Sequence, residues 1–396
     1  MGALPPEIED EFRRDLRFAE EAAESGVVPS RSAAARKDWH VWTSFCVSLD
    51  KGPLLLNVAD KIRFLQVFAH RVRTGALARN PGNKPVRSRT VEDYLRSVGQ
   101  GFTSVGALDP RYQKGTTLID FRLYRQLRCY SKEDPPPTRV KPLPLAVLHN
   151  VREMAALHGD EISLAVSDLS YMAFFWLLRP GEYCSSSESH PFRLCDVQLF
   201  IGDHRLDPLT CDLADLNRIT FVTLTFTTKK NGVRGEIIGH ARSSHLYACP
   251  VVSVVNRVRY LRLQGAPPDA PLCAVRSQTS AAWCTVSSKL VTESIRTSAT
   301  ILGPQLGFNA DDVSARSCRA GGAMALLCGR VDTSIIQLVG RWRSDVMLRY
   351  LHLQAGALMS NLSSTMLAAG TFHLVPGQDV PTTAAPLLVE VPAFVE

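Results

Sequence analysis

The chain holds 396 residues, with 45 Lys and Arg against 38 Asp and Glu, for a formal net charge of +7. That length is more than one compact core normally serves, so two domains are expected. Hydrophobic residues at 45% and charged residues at 21% are ordinary for a globular protein, no run of about 18 apolar residues is present to span a membrane, and the mild basic excess only permits a nucleic-acid partner.

In chain order, residues 1–30 read as a charged leader of uncertain order, without the apolar core of a secretory signal. Ser32 is an N-cap position, and Trp39, Trp42, Phe45 and Cys46 follow at helical offsets. A second buried stripe runs from Val58 to Arg73, and Asn80 to Pro85 is a loop by composition. Helices are then predicted over Ser88–Val105 and Thr117–Tyr130, before the proline run Pro135–Pro137. The resulting division is a helical domain over 31–132, a linker over 133–141 and a second domain over 142–368. Basic residues crowd the regions Arg71–Arg96 and Arg111–Lys141, whereas the chain after Phe372 has no Lys or Arg. A phosphate-binding surface has this footprint, with Arg87, Arg89, Arg96, Arg122, Arg125 and Arg128 as its candidate DNA contacts.

The second domain opens at Pro142 with a helix through His158, and a strongly apolar helix follows over Ser163–Leu178, stopped by Arg179-Pro180-Gly181. The period then changes. Cys195–Ile201 and Ile219–Thr228 alternate as half-buried strands, Lys229-Lys230-Asn231-Gly232 is a hairpin turn, and Arg234–Gly239 is the returning strand. From Cys249 the pattern is helical to about Leu367, and residues 369–396, with four prolines among small residues, read as a disordered tail. The fold class is therefore mainly α with a small antiparallel β-sheet. Ten cysteines contain no Cys-x-x-Cys pair, so zinc ribbons and dithiol chemistry are unsupported, and free thiols fit a reducing compartment.

Four elements recur in order along this domain. They are Leu178-Arg179-Pro180-Gly181-Glu182, the lysines of the hairpin turn, Arg316-Ser317-Cys318-Arg319-Ala320-Gly321-Gly322-Ala323, and Gly340-Arg341-Trp342-Arg343-Ser344-Asp345 leading to Tyr350. Forked guanidiniums match the charged oxygens of a phosphodiester, and a phenol can attack its phosphorus without a metal. The ordered set resembles the tyrosine recombinase and phage integrase family, whose DNA breaking-and-rejoining fold also occurs in type IB topoisomerases. The likeness runs from about Ser32 to Leu367, and its wording is most similar to eukaryotic recombinases of DIRS and Crypton transposons.

The resemblance implies a helical core-binding domain followed by a mixed α/β catalytic domain. It implies that Arg179 and Arg319 grip the scissile phosphate, with Glu182 in support. Lys230 would be the general acid for the leaving 5′-oxygen, with Lys229 an equally reachable candidate. Trp342, with Arg341 beside it, would supply a further phosphate contact, and Tyr350 would be the nucleophile. No cofactor or metal is implied. The partners are double-stranded DNA and further copies of the chain, as a tetramer on DNA, and location is intracellular, in the nucleus if the source is eukaryotic. Two departures stand out. The family usually has His where this chain has Arg316, which can still donate to the phosphate but cannot take a proton from the phenol. The position after the family glycine, usually His or Trp, is Arg341, with Trp342 one step later. Strand cleavage, a catalytically impaired DNA-binding descendant and a topoisomerase-like relaxer are therefore the readings carried forward.

Overall fold

The computed structural model describes residues 5–26, 29–77, 84–136, 140–185, 190–227, 235–277, 280–303 and 307–342. It divides into two compact units, Met1–Pro137 and Thr138–Glu396.

The first unit is helical: α1 (Pro6–Ser25), α2 (Pro29–Val47), α3 (Lys61–Arg73), α4 (Ser88–Ser104) and α5 (Phe121–Glu133). Trp42, Phe45, Leu65, Phe68, Val91, Leu95, Val98, Phe102 and Leu123 form its core, which is the set of stripes that the 3.6-residue period puts inward. Three boundaries move. The leader contains α1, whose Ile8, Phe12 and Leu16 are exposed. Helix α2 starts at Pro29, a residue suited to a first helical turn, so Ser32 lies inside it and is not its N-cap. Helix α5 starts at Phe121 rather than Thr117, because the Asp120 side chain accepts from Arg122 N at 2.9 Å and caps it there.

The second unit begins with α6 (Leu145–His158) and α7 (Glu161–Phe175), followed by the single turn α8 (Pro180–Tyr183). Asp160 caps α7 by accepting from Ser163 N at 2.9 Å. The sheet comes next, as β1 (Val197–Ile201), β2 (His204–Leu206), β3 (Phe221–Phe226) and β4 (Glu236–Ala241), in the antiparallel order β2-β1-β3-β4. The expected strands are present, although β2 was not expected and the last β3–β4 pair is Phe226 with Glu236. The expected turn Lys229-Lys230-Asn231-Gly232 lies outside the described residues.

Helix α9 (Pro250–Leu263) packs beside α7 and β3. A second correction follows it. Residues expected to be helical instead form a short hairpin, β5 (Ala274–Arg276) with β6 (Trp283–Thr285). Three-residue strands are too short to display a period, and the tether is buried: Arg257, 2% exposed, donates to Leu272 O at 2.8 Å and to Ala274 O. Helices α10 (Ser288–Leu302), α11 (Ser317–Cys328) and α12 (Thr333–Gly340) complete the unit. No helix among the described residues is long and apolar enough to cross a membrane. The chain is thus mainly α with a small antiparallel sheet confined to the second unit.

Candidate functional site

The site is built around the turn between α7 and α8. Helix α7 ends because Leu177 adopts a left-handed backbone, with φ of 50°, which no α-helix continues. The last carbonyls of a helix lack internal partners, and here two arginines from the far end of the chain supply them.

Arg319 lies in the first turn of α11 and is 2% exposed. Its Nη1 donates to Leu177 O at 2.6 Å, its Nη2 donates to Gly340 O, and its guanidinium lies 4.4 Å from the Trp342 ring centroid. The approach depends on glycine. A Cβ on Gly322 would sit 2.0 Å from Phe174 O, and one on Gly321 2.3 Å from Leu143 O. The Gly-Gly of the motif is thus a packing surface that lets α11 press against α7 and the segment before α6.

Helix α12 ends at Gly340, and Arg341 turns the chain with a left-handed φ of 56° and ψ of 41°. Arg341 is 6% exposed. Its Nη1 donates to Trp176 O at 3.1 Å and Val339 O at 2.9 Å, and its Nη2 to Leu177 O at 3.1 Å and to Glu182 Oε2 at 3.2 Å. Its guanidinium also lies 3.9 Å from the ring centroid of Phe226, the last residue of β3, so the end of that strand abuts this junction. Burial pulls the Arg341 pKa down to about 10, with Glu182 opposing and Arg179 adding to the shift. The group stays charged at neutral pH.

Arg179 occupies the N-cap of α8, rather than the end of the long apolar helix. Glu182, 8% exposed, accepts from Arg179 N at 2.9 Å and from Arg179 Nη1 at 3.2 Å. The Arg179 side chain retains 30% exposure. Arg179, Glu182, Arg319, Arg341 and Trp342 therefore meet at one place, although up to 163 positions separate them (342 − 179). Arg316 is exposed at the N-cap of α11. Trp342 is 9% exposed and packs with Leu177, Ala323 and Ile336. Lys229, Lys230 and Tyr350 lie outside the described residues.

Tyr183, the phenol next to Glu182 in sequence, was not singled out by sequence, and its position excludes it as a nucleophile. It is 1% exposed, donates to Ala315 O at 2.8 Å, and burial raises its pKa well above the ordinary value.

The candidate DNA contacts of the first unit divide in two. Arg122 is spent on Asp60, at 2.7 and 3.2 Å, and on Asp120 at 3.1 Å; Arg96 pairs with Asp93, and Arg89 with Glu92 and Asp93. Arg87, Arg125 and Arg128 are exposed without an ion pair to a described carboxylate, and Arg125 stacks on Phe121.

No family model and no curated protein matches the chain. Among solved structures it is similar to XerA recombinase, at 15% identity and a TM-score of 0.35 over 88% of this chain and 96% of that one. It is also similar to the Tn1549 transposon integrase, solved in complex with circular intermediate DNA, at 13% identity and a TM-score of 0.42 over 78% of this chain and 87% of that one.

Proposed function

We propose that this chain is a DNA recombinase or integrase of the tyrosine type, cutting and rejoining strands through a 3′-phosphotyrosyl intermediate. The observation that carries the reading is the meeting of Arg179, Glu182, Arg319, Arg341 and Trp342 at the α7–α8 turn, because the sequence motifs that contribute them are the ones that define the chemistry. Closeness to DIRS and Crypton enzymes rests on motif wording alone.

In this reading the Tyr350 phenol gives its proton to water, its oxygen bonds to phosphorus and the bond to the 5′-oxygen breaks. Lys230, or Lys229, protonates the departing oxygen. Arg179, the guanidinium of the junction with substantial exposure, faces the non-bridging oxygens, where loss of one such donor costs about 10²–10³ in rate. Return of a 5′-hydroxyl reverses the step, and the ester keeps the bond energy, so no ATP is consumed. Duplex DNA is the substrate, assembly is as a tetramer on it, and a eukaryotic version would act in the nucleus.

The test is a nicked duplex that traps the covalent product on a denaturing gel. Wild-type protein should form the adduct, and Tyr350→Phe should form none while binding DNA equally well. An undiminished adduct with Tyr350→Phe would overturn the nucleophile assignment. A second reading, a DNA-binding descendant without cleavage, is favoured by Arg316 in the histidine position and by the engagement of both terminal nitrogens of Arg319 with main-chain carbonyls. Binding without any wild-type adduct selects it.

A further inference from the structure

The residue after Gly340 stands where the resembling family places a side chain against the phosphate. In this chain its guanidinium points inward. Arg341 is 6% exposed and makes four hydrogen bonds, to Trp176 O, Leu177 O, Val339 O and Glu182 Oε2. A group so enclosed has little left to offer a ligand. What it does hold is Glu182, and Glu182 in turn holds Arg179 by both main chain and guanidinium.

We infer that Arg341 is a positioning residue, acting on the phosphate-facing Arg179 through the buried carboxylate of Glu182. This rests on the strand-cleavage reading above. Two physical arguments support it. A buried carboxylate needs cationic and hydrogen-bonding partners to stay ionised and ordered, and Glu182 has one from each side, Arg341 at 3.2 Å and Arg179 at 2.9 and 3.2 Å. The guanidinium fork also reaches the carbonyls of Trp176 and Leu177, so one rigid plane sets both the α7–α8 turn and the carboxylate that Arg179 leans on. A lysine has no such plane and cannot span these acceptors together.

Because Arg341 acts through Glu182, the two residues must lose function together rather than independently. The experiment is a cycle in the full chain on the nicked duplex, with Glu182→Gln, Arg341→Met, their combination, and Arg341→Lys as a milder variant should Arg341→Met not fold. Adduct rate, DNA affinity and unfolding midpoint are measured for each. Each single change should slow adduct formation by about tenfold to a hundredfold, the scale of a misplaced reacting group, while DNA affinity stays within about twofold, as expected when the phosphate-contacting group itself is retained. The combination should be no slower than the worse single variant. Losses that multiply in the combination would show that Arg341 meets the phosphate itself and would overturn the inference. Unchanged adduct rates with a lowered midpoint would overturn it as well, leaving Arg341 a purely structural tie. Wild-type protein is tested first. If it forms no adduct, the strand-cleavage reading has failed and takes this inference with it, whereas a wild-type adduct with multiplying losses sinks the inference alone.

Discussion

The arginines of the two units obey the same chemistry and come to opposite ends. In the first unit Arg89 and Arg122 are exposed and Arg96 is half-buried, and all three meet carboxylates; solvent-screened pairs of this kind add little to stability. In the second, Arg319 and Arg341 sit inside, and most of their partners are carbonyls stranded at the ends of α7 and α12. A count of basic residues treats both groups as available positive charge. Neither is. One is neutralised at the surface and the other is consumed as internal wiring, whereas Arg87, Arg125 and Arg128 in one unit and Arg316 in the other are exposed with no ion pair to a described carboxylate.

The largest effect should come from cutting the internal wiring. Arg319→Ala removes the side-chain donor to Gly340 O, leaves Leu177 O with Arg341 alone of its two arginines, and empties the space over Trp342. A loss of about 3–5 kcal/mol is expected for removing a buried charged donor from its network. Arg125→Ala, at an exposed site, should stay within about 0.5 kcal/mol. Urea unfolding of the two variants measures both, with hydrogen exchange of α7 and α11 locating the damage. Equal losses would erase the contrast between the units.

A half-buried arginine of the first unit bonds to carbonyls as well as to a carboxylate, and it sharpens the comparison. Arg73 donates to Val86 O at 2.6 Å and Tyr130 O at 3.3 Å and pairs with Asp134. Asp134 also accepts from Ser88 N at 2.8 Å and Ser88 Oγ at 2.6 Å, which caps α4 from a distance. Burial works to raise the Asp134 pKa, but the bonds from Ser88 and Arg73 prevail and hold it below the usual carboxylate range. With a lowered folded pKa, the unfolded chain takes up the proton first as pH falls. The stabilisation is complete above the ordinary carboxylate pKa of about 4 and is lost below it. Asp134→Ala should cost about 2–3 kcal/mol at pH 7, and its difference from wild type should shrink steadily below pH 4. Thermal melts across pH 3–7 check this, and a difference that held constant would detach Asp134 from the clasp.

A smaller pH effect belongs to the second unit and runs higher on the scale. His240 lies edge-on to Trp176 at 4.7 Å, and burial lowers its pKa with only partial compensation from the Phe175 main chain. Burial also lowers His149, helped by His245 at 5.0 Å and opposed by Glu153. Above about pH 6.5 both histidines are neutral in either state; below it the unfolded chain protonates first, so stability falls with pH. Asp168 works the other way. Burial outweighs Asn256, Arg152 and Arg257 and pushes its pKa up to about 6, which adds stability as pH falls from there toward 3.8. Comparing wild type with His240→Asn isolates the histidine contribution. The variant should show a shallower fall between pH 7 and 5.5, and parallel curves would show that His240 does not titrate with unfolding.

Most of the helices were legible because amphipathic stripes such as Trp42-Phe45 and Val91-Leu95-Val98-Phe102 reflect a core that the chain meets locally. Strands β1, β3 and β4 were legible through alternation. The hairpin of β5 and β6 was not, since its three-residue strands hang on Arg257, which is distant in sequence. Ordered motifs disclosed which residues of the site belong together. Their orientation was hidden, because whether a guanidinium faces solvent or a stranded carbonyl depends on Leu177 turning left-handed and on Gly321 and Gly322 admitting α11. The same blindness made Arg122 look like Arg125, when Asp60, far back in the chain, had already claimed it.

That last pair gives the mildest and most specific test. If free charge rather than total charge meets DNA, each arginine that contacts a phosphate should contribute about 0.9 to the slope of log affinity against log salt. Arg125→Ala and Arg128→Ala should each flatten the slope by about that amount, with little sequence preference lost. Arg122 should contribute nothing, because it is held by Asp60 and Asp120. Removing it alone would leave both carboxylates bare and repel DNA for a trivial reason, so the informative variant is Arg122→Ala with Asp60→Asn, which keeps the net charge of the wild type. An unchanged slope in that double variant, beside the flattening from Arg125→Ala, would mean that an exposed arginine is a DNA contact only when no carboxylate reaches it first. A slope that fell equally in both would mean that DNA displaces Asp60 and Asp120, and the surface pairs of the first unit would then be a reserve of charge rather than a sink for it.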